Sequence, residues 1–159
     1  EHAKLFMLSQ AVRNTSIQWV CDISPIPVEI YGWGWDKDDR VSPFYKGPLN
    51  YGADIRKVYS SAKYAFICHP LYFRQQRLYE AAACGAIPVS YDCRHLVPPP
   101  YYEDAILYFR TKQDLLDVLK KNIPGQLEDI YRYNTYDYLY HQVIKLAKDR
   151  LRLTDDSTP

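Results

Sequence analysis

The sequence has no apolar run that approaches the roughly 20 residues needed to cross a bilayer. It also has no excess of charge of one sign, because 20 Lys and Arg face 19 Asp and Glu and leave a net charge of +1. Without a clustered basic stripe, the chain lacks the electrostatic footprint of a nucleic-acid-binding protein, so an anion site has to be local. The N-terminus shows no secretory signal pattern, and its start at Glu1 leads us to expect a piece of a longer protein.

Paired cysteine motifs are missing as well. The four cysteines, Cys21, Cys68, Cys84 and Cys93, form no CxxC spacing, and their spacing relative to the histidines does not indicate a zinc site. We predict buried free thiols rather than disulfides, and therefore a reducing, cytoplasmic location.

Two common nucleotide-site motifs are absent or poorly placed. No GxGxxG follows the first strand, which counts against a dinucleotide site. A DxD triplet lies within Asp36–Asp39, directly after a Gly/Trp turn, and we interpret it as part of a solvated loop rather than a metal site.

Predicted strands and helices alternate along the chain. Strands are predicted at Lys4–Leu8 (with a helix as the alternative), Val28–Tyr31, Phe44–Lys46, Tyr64–Cys68, Ile87–Tyr91 and Ala105–Phe109. Helices are predicted at Ile17–Ile23 (capped by Asn14, Thr15 or Ser16), Tyr51–Lys63, Arg74–Cys84, Lys112–Lys121 and Leu127–Leu153.

Alternating elements with continuously apolar strands predict a Rossmann-like, doubly wound α/β fold. We expect a parallel sheet of about five or six strands covered on both faces. Residues 1–125 are predicted to form this domain, and residues 126–159 a C-terminal helical extension.

The most informative segment is HPLYFRQQRLYE, residues 69–80, in which a strand ends and a helix starts near Arg74. Helix starts offer unpaired N–H groups to phosphate, and Arg74 and Arg77 add full charges there. Glu80, one turn beyond Arg77, can accept two hydroxyl hydrogen bonds from a ribose. The alternatives are solvated arginines and an ordinary surface pair between Arg77 and Glu80.

The stretch RLYEAAACGAIPVSYD, residues 77–92, resembles the nucleotide-sugar half of GT-B glycosyltransferases. It is most similar to the spore-maturation (CgeB-like) type, which also has a Y-G-x-G-W strand end, here 31–35, and a stretch like 47–61. Exostosin-like glycosyltransferases share the R-L-(F/Y)-E-A-x-x-x-G-x-I-P-V core. The resemblance covers about residues 28–122.

This resemblance implies a donor site for a UDP-sugar that works without a metal. Glu80 would hold the ribose, and Arg74, Gln76 and Arg77 would face the diphosphate. Gly32 and Gly34 would let the donor approach, and Lys46, Gly47 and Leu49 would read the base. Independently of the resemblance, His69 and His95 are the titratable candidates for a base near this cleft; we take His69, which follows a strand, and Arg77 as the candidate catalytic residues, with a loop-packed histidine as the alternative for His69. Many retaining relatives have a second Glu eight positions before the ribose carboxylate, where this chain has Tyr72. An N-terminal acceptor-binding domain is expected to be missing, so the isolated chain should bind the donor without turnover.

The high tyrosine content of the chain suggests a different function. The chain contains 16 Tyr, clustered between Tyr101 and Tyr140. Tyrosine is favoured at interfaces, so the alternative is a non-catalytic α/β interaction domain that uses a tyrosine-rich C-terminal helix.

Overall fold

The structure is a computed structural model, and it describes residues 2–69, 75–95, 105–121, 127 and 136–151. The helices are α1 (His2–Ile23), α2 (Ala53–Ser61), α3 (Gln76–Ala83), α4 (Lys112–Lys120) and α5 (Tyr136–Leu151). The strands are β1 (Ile30–Tyr31), β2 (Tyr45–Gly47), β3 (Tyr64–Ile67), β4 (Ile87–Tyr91) and β5 (Leu107–Phe109). Short 3₁₀ helices cover Trp35–Lys37 and Ser42–Phe44.

The predicted Rossmann-like α/β class and C-terminal helix are confirmed. All strand pairs in the described part of the chain are parallel, and they form a sheet of β1 and β2 and a sheet in the order β3-β4-β5. The strand over Ile87–Tyr91 has its predicted bounds. Parallel strands put all their carboxyl ends at one edge, which is where ligands bind in such folds.

The first helix corrects the sequence prediction. Lys4–Leu8 is helical and not a strand, and Asn14–Ser16 lie inside α1 instead of capping a later helix. A short apolar run does not distinguish the two structures by its periodicity, and Phe6 and Met7 in this run are 66% and 70% exposed. They extend a helix that is anchored further along, where Ser16 and Val20 are buried.

The three-stranded sheet is covered on both faces. On one face, Ala65 and Ile67 of β3 pack with Leu78 and Ala81 of α3. The opposite face carries larger side chains, and its buried members are Val20, Ile87, Val89, Leu107, Phe109, Leu115, Val118 and Leu119. Helix α1 also contributes Ile17 and Cys21 to a third cluster around Ile30, Trp35 and Val41, so it joins the two sheets.

Two helix ends near the sheet edge are closed by specific hydrogen bonds. Thr111 and Asp114 form the predicted capping box at the start of α4. At the end of α3, Gly85 has φ +90°. Its N–H reaches the Ala82 carbonyl, and the Ala86 N–H reaches that of Ala81, each at 3.0 Å. This is the αL glycine stop predicted at Gly85.

A search of the described residues for helices that are long and apolar enough to cross a membrane finds none. The predicted Pro-rich loop, the break at Pro124 and Gly125, and the tail from Thr154 fall wholly or partly outside the described residues.

Candidate functional site

Two predicted glycines form a tight turn at the carboxyl end of β1. Gly32 and Gly34 have φ values of +119° and +85°, which side chains with a Cβ rarely adopt. The Gly32 N–H donates to the Gly47 carbonyl at 3.1 Å, and the Tyr45 hydroxyl donates to the Gly32 carbonyl at 2.8 Å. Gly32, Gly34 and Gly47 are therefore brought together, and Trp33 stands out of the turn with 84% exposure.

An open cleft of about 200 Å³ lies beside this turn. Its volume is below the roughly 300–1,000 Å³ of a site that encloses a whole small molecule, so it suits one part of a ligand. Its lining is formed by Arg13, Asn14, Trp33, Gly34, Trp35, Lys37 and Asp38.

Arg13 is the residue of this cleft that sequence reasoning missed. Its guanidinium lies over the Trp35 ring, 4.8 Å from the ring centroid. Burial lowers the pKa of Arg13, and the nearby Arg77 guanidinium lowers it further. An arginine on the half-buried face of a helix gives no sequence signal by itself, and only the tertiary structure brings its charge within range of Arg77.

His69 follows β3 at the carboxyl edge of the three-stranded sheet and is solvent-exposed. Desolvation lowers the pKa of His69 below its usual value, and the charge of Arg13 adds to this effect. The imidazole is therefore neutral at pH 7 and can accept a proton. Arg13 and Arg77, whose charges act on each other, thus form a cationic group, and the neutral His69 ring lies within range of the Arg13 charge.

Glu80 lies at the centre of a hydrogen-bonded network on α3. The Gln76 amide Nε2 donates to Glu80 Oε1 at 2.8 Å, and the Tyr51 hydroxyl donates to the same oxygen. Gln76 also donates to the Tyr51 hydroxyl. The other carboxylate oxygen, Oε2, is buried and has no hydrogen-bond partner in the described structure. A buried carboxylate oxygen in this state normally requires a donor.

The remaining predicted site residues are Arg77, Lys46, Leu49 and Arg74, and the structure describes all of them except Arg74. Arg77 is exposed, and in the part of the chain that the structure describes it forms no ion pair with Glu80. Lys46 is exposed and Leu49 is half-buried in the loop that leads to Tyr51. The lining of the cleft includes neither Arg77 nor Glu80. Arg74 and Tyr72 lie outside the described residues.

A second polar cluster lies at the carboxyl ends of β4 and β5. The Arg94 Nε donates to Asp92 Oδ1 at 2.9 Å, and this contact is the main cause of the lowered pKa of Asp92. Arg110 contacts the Asp92 carbonyl at 3.2 Å and His95 Nδ1 at 2.8 Å. Because a guanidinium can only donate, His95 Nδ1 accepts this bond and its proton sits on Nε2.

The DxD segment is held by protein groups. Asp38 accepts from the Gln18 amide at 2.8 Å and from the Arg40 N–H at 3.0 Å. Within ranges 2–69, 75–95, 105–121 and 136–151, no three His, Cys, Asp or Glu side chains gather as metal ligands would. In the same ranges, Cys21, Cys68, Cys84 and Cys93 are free thiols.

The chain was compared with known protein families, curated proteins and solved structures. Residues 6–143 match a family model described as "Glycosyl transferase-like". No curated protein matches the chain, and no solved structure does. The matched range contains both sheets and the residues of the candidate site.

Proposed function

The chain belongs to the glycosyl transferase-like family, and we propose that it is the nucleotide-sugar-binding domain of a GT-B glycosyltransferase. The donor is a UDP-sugar, and an N-terminal domain supplies the acceptor site. The observation that carries this proposal is Glu80, whose Oε2 atom is buried without a partner in the described structure. A ribose hydroxyl is a donor of the kind that this oxygen needs.

Cations beside Glu80 supply the second requirement of such a site. Sugar transfer leaves a nucleoside diphosphate, and its developing negative charge must be stabilised. Arg77 lies one turn before Glu80 at the start of α3, where a helix offers N–H groups without helical partners, and the charges of Arg77 and of Arg13 on α1 act on each other. Arg74 and Gln76 belong to the proposed diphosphate site by their positions in the sequence. These groups allow departure of the diphosphate without a metal.

The loops around the site complete the proposal. Gly32 and Gly34 leave space for the donor at the end of β1, and Lys46, Gly47 and Leu49 face the base. His69, neutral at pH 7, is the proposed proton acceptor close to the cationic group.

UDP binding tests this function through thermal stability. A ligand at about one hundred times its Kd stabilises the folded state by about 2.7 kcal/mol, which raises Tm by about 5–10 °C in a chain of this size. Arg77→Ala and Glu80→Ala should abolish the rise. Arg56→Ala, which removes an exposed arginine on α2, should leave it intact. The proposal fails if UDP leaves the Tm of the wild-type protein unchanged.

A second candidate function rests on α5. Among its described residues, Tyr140, Val143 and Leu146 are 65%, 62% and 58% exposed. Such an apolar face supports a non-catalytic interaction domain that binds another protein through this helix. This candidate requires that UDP has no effect on Tm, and that Val143→Ser with Leu146→Ser abolishes association with the partner while the fold is kept.

A further inference from the structure

We propose that Tyr51 determines the specificity of the donor site by two separate means. Its hydroxyl fixes the Glu80 carboxylate so that one oxygen is left for the ribose, and its ring is a platform on which the nucleobase stacks. The inference rests on the proposed function, because it assumes that Glu80 holds the ribose.

The hydrogen bonds at Glu80 are all on one side of the carboxylate. Tyr51 and Gln76 both donate to Oε1, and Gln76 also donates to the Tyr51 hydroxyl. Oε2 receives no such bond from the described residues, although it is buried. Two donors on one oxygen prevent the carboxylate from rotating, and the orientation that they fix keeps Oε2 free for a ligand.

The Tyr51 hydroxyl is a stable donor in this arrangement. The hydrogen bond to the Glu80 carboxylate raises the pKa of Tyr51 above its usual value. The phenol therefore stays protonated throughout the physiological range and continues to donate to Oε1.

The ring of Tyr51 differs from an ordinary exposed aromatic side chain. It is 69% exposed, but its hydroxyl is held by two partners on α3. Its position is therefore set before a ligand binds, which reduces the entropy lost on stacking. A nucleobase is bonded directly to its ribose, so a base on a ribose at Glu80 comes within reach of this ring. Tyr51 also follows the segment with Lys46 and Gly47 at the end of β2 and Leu49 after it, which is proposed to face the base.

Calorimetric titration with two ligands separates the two roles. UDP and 2′,3′-dideoxy-UDP are titrated into the wild-type protein, Tyr51→Phe and Tyr51→Ala. Tyr51→Phe keeps the ring and loses the hydroxyl, so its affinity should fall at least about fivefold for UDP and remain within twofold for the dideoxy ligand. Tyr51→Ala should lose a further factor of about five or more for both ligands, because a stacked base contributes about 1–3 kcal/mol.

Tyr64→Phe is the matched control. It also removes an exposed tyrosine hydroxyl bond, from Tyr64 to the Lys121 carbonyl at 2.7 Å, but at the amino end of β3. Both ligands should bind this variant with the wild-type affinity. The melting temperature of each variant without ligand shows that it is folded.

The outcomes distinguish this inference from the proposed function. If the wild-type protein binds UDP but Tyr51→Phe loses affinity for both ligands equally, or for neither, the orienting role of Tyr51 is wrong and the proposed function stands. If Tyr51→Ala binds both ligands as well as Tyr51→Phe does, the stacking role is wrong. If the wild-type protein does not bind UDP, the proposed function fails and this inference fails with it.

Discussion

At the residue scale, the charge of the candidate site depends on the electrostatic interaction between its cations. Arg13 is half-buried over Trp35, and Arg77 is exposed at the start of α3. Their mutual repulsion lowers the pKa of Arg13 without bringing it near neutrality, since guanidinium groups stay charged in proteins. An anion placed between them would relieve this repulsion, which is the physical reason to expect a phosphate there.

Arg13→Met should raise the pKa of His69. The positive charge of Arg13 disfavours the imidazolium, so its removal favours protonation, while the desolvation that also lowers this pKa remains. The pH titration of the His69 ring by NMR measures the change, with Arg56→Met as the control that leaves it unaltered. An identical titration in Arg13→Met would show that the two side chains do not interact.

The same variant should weaken UDP binding. A hydrogen bond to a charged group contributes about 1.5–3 kcal/mol, so the loss of Arg13 should cost roughly tenfold or more in affinity. Calorimetric titration at low and high salt checks this, and the loss should be smaller at high salt because ions screen the interaction. An unchanged affinity at low salt would remove Arg13 from the site.

At the scale of single elements, local signals decide where helices start and stop. In α4, the Asp114 N–H donates to the Thr111 hydroxyl at 3.1 Å, and the Asp114 carboxylate accepts the Thr111 N–H at 3.0 Å. This exchange satisfies N–H groups that the helix itself cannot pair. It also fixes the position of Arg110, whose N–H donates to the same carboxylate at 3.1 Å.

Thr111→Ala should therefore lower the free energy of unfolding by about 1 kcal/mol, the usual cost of removing such a cap. Urea denaturation measures this cost. Thr15→Ala removes an exposed threonine from the interior of α1 and should be neutral or slightly stabilising, because Ala favours helix. Equal effects of the two substitutions would contradict the role of the capping box.

The contrast between α1 and α4 shows what the sequence can predict. The capping box and the Gly85 stop are encoded within a few residues, so pattern alone predicts them. In Lys4–Leu8 the apolar run suits a strand or a helix, and only the packing of Ser16 and Val20 further along decides for the helix.

The same difference between local patterns and tertiary packing applies to the candidate site. Gln76 and Glu80 contact each other because they are neighbours on one helix, and the glycine turn could be predicted from its composition. Tyr51 reaches Glu80 across 29 positions of the sequence, and the charges of Arg13 and Arg77, which lie on different helices, act on each other. Such interactions exist only once the sheets are assembled, so no local pattern indicates them.

At the scale of the whole molecule, α1 connects the two sheets. Trp19 and Ile23 pack against the three-stranded sheet, and Ile17 packs against the cluster beside β1 and β2. Cys68 lies at this junction, where its thiol contacts the Val12 carbonyl at 3.8 Å. Desolvation raises the pKa of Cys68 from 9.0 to about 11.

This shift should make the fold less stable in alkali. An unfolded thiol loses its proton near pH 9.0, whereas the folded Cys68 keeps it until about pH 11, so stability is lost between these values. Relative to Cys68→Ala, the wild-type protein should lose about 2 kcal/mol of unfolding free energy over this range. Urea denaturation from pH 8 to 11 tests this, and parallel curves for the two proteins would contradict it.

The central claim is that Glu80 holds a ribose hydroxyl through its free oxygen. A crystal structure of the chain with UDP measures this directly, as the distance from Glu80 Oε2 to the nearest ribose oxygen. We predict a distance of about 2.6–3.2 Å, with Oε1 still bonded to Tyr51 and the diphosphate between Arg13 and Arg77. A ribose bound elsewhere, with Oε2 facing protein or water, would contradict the account.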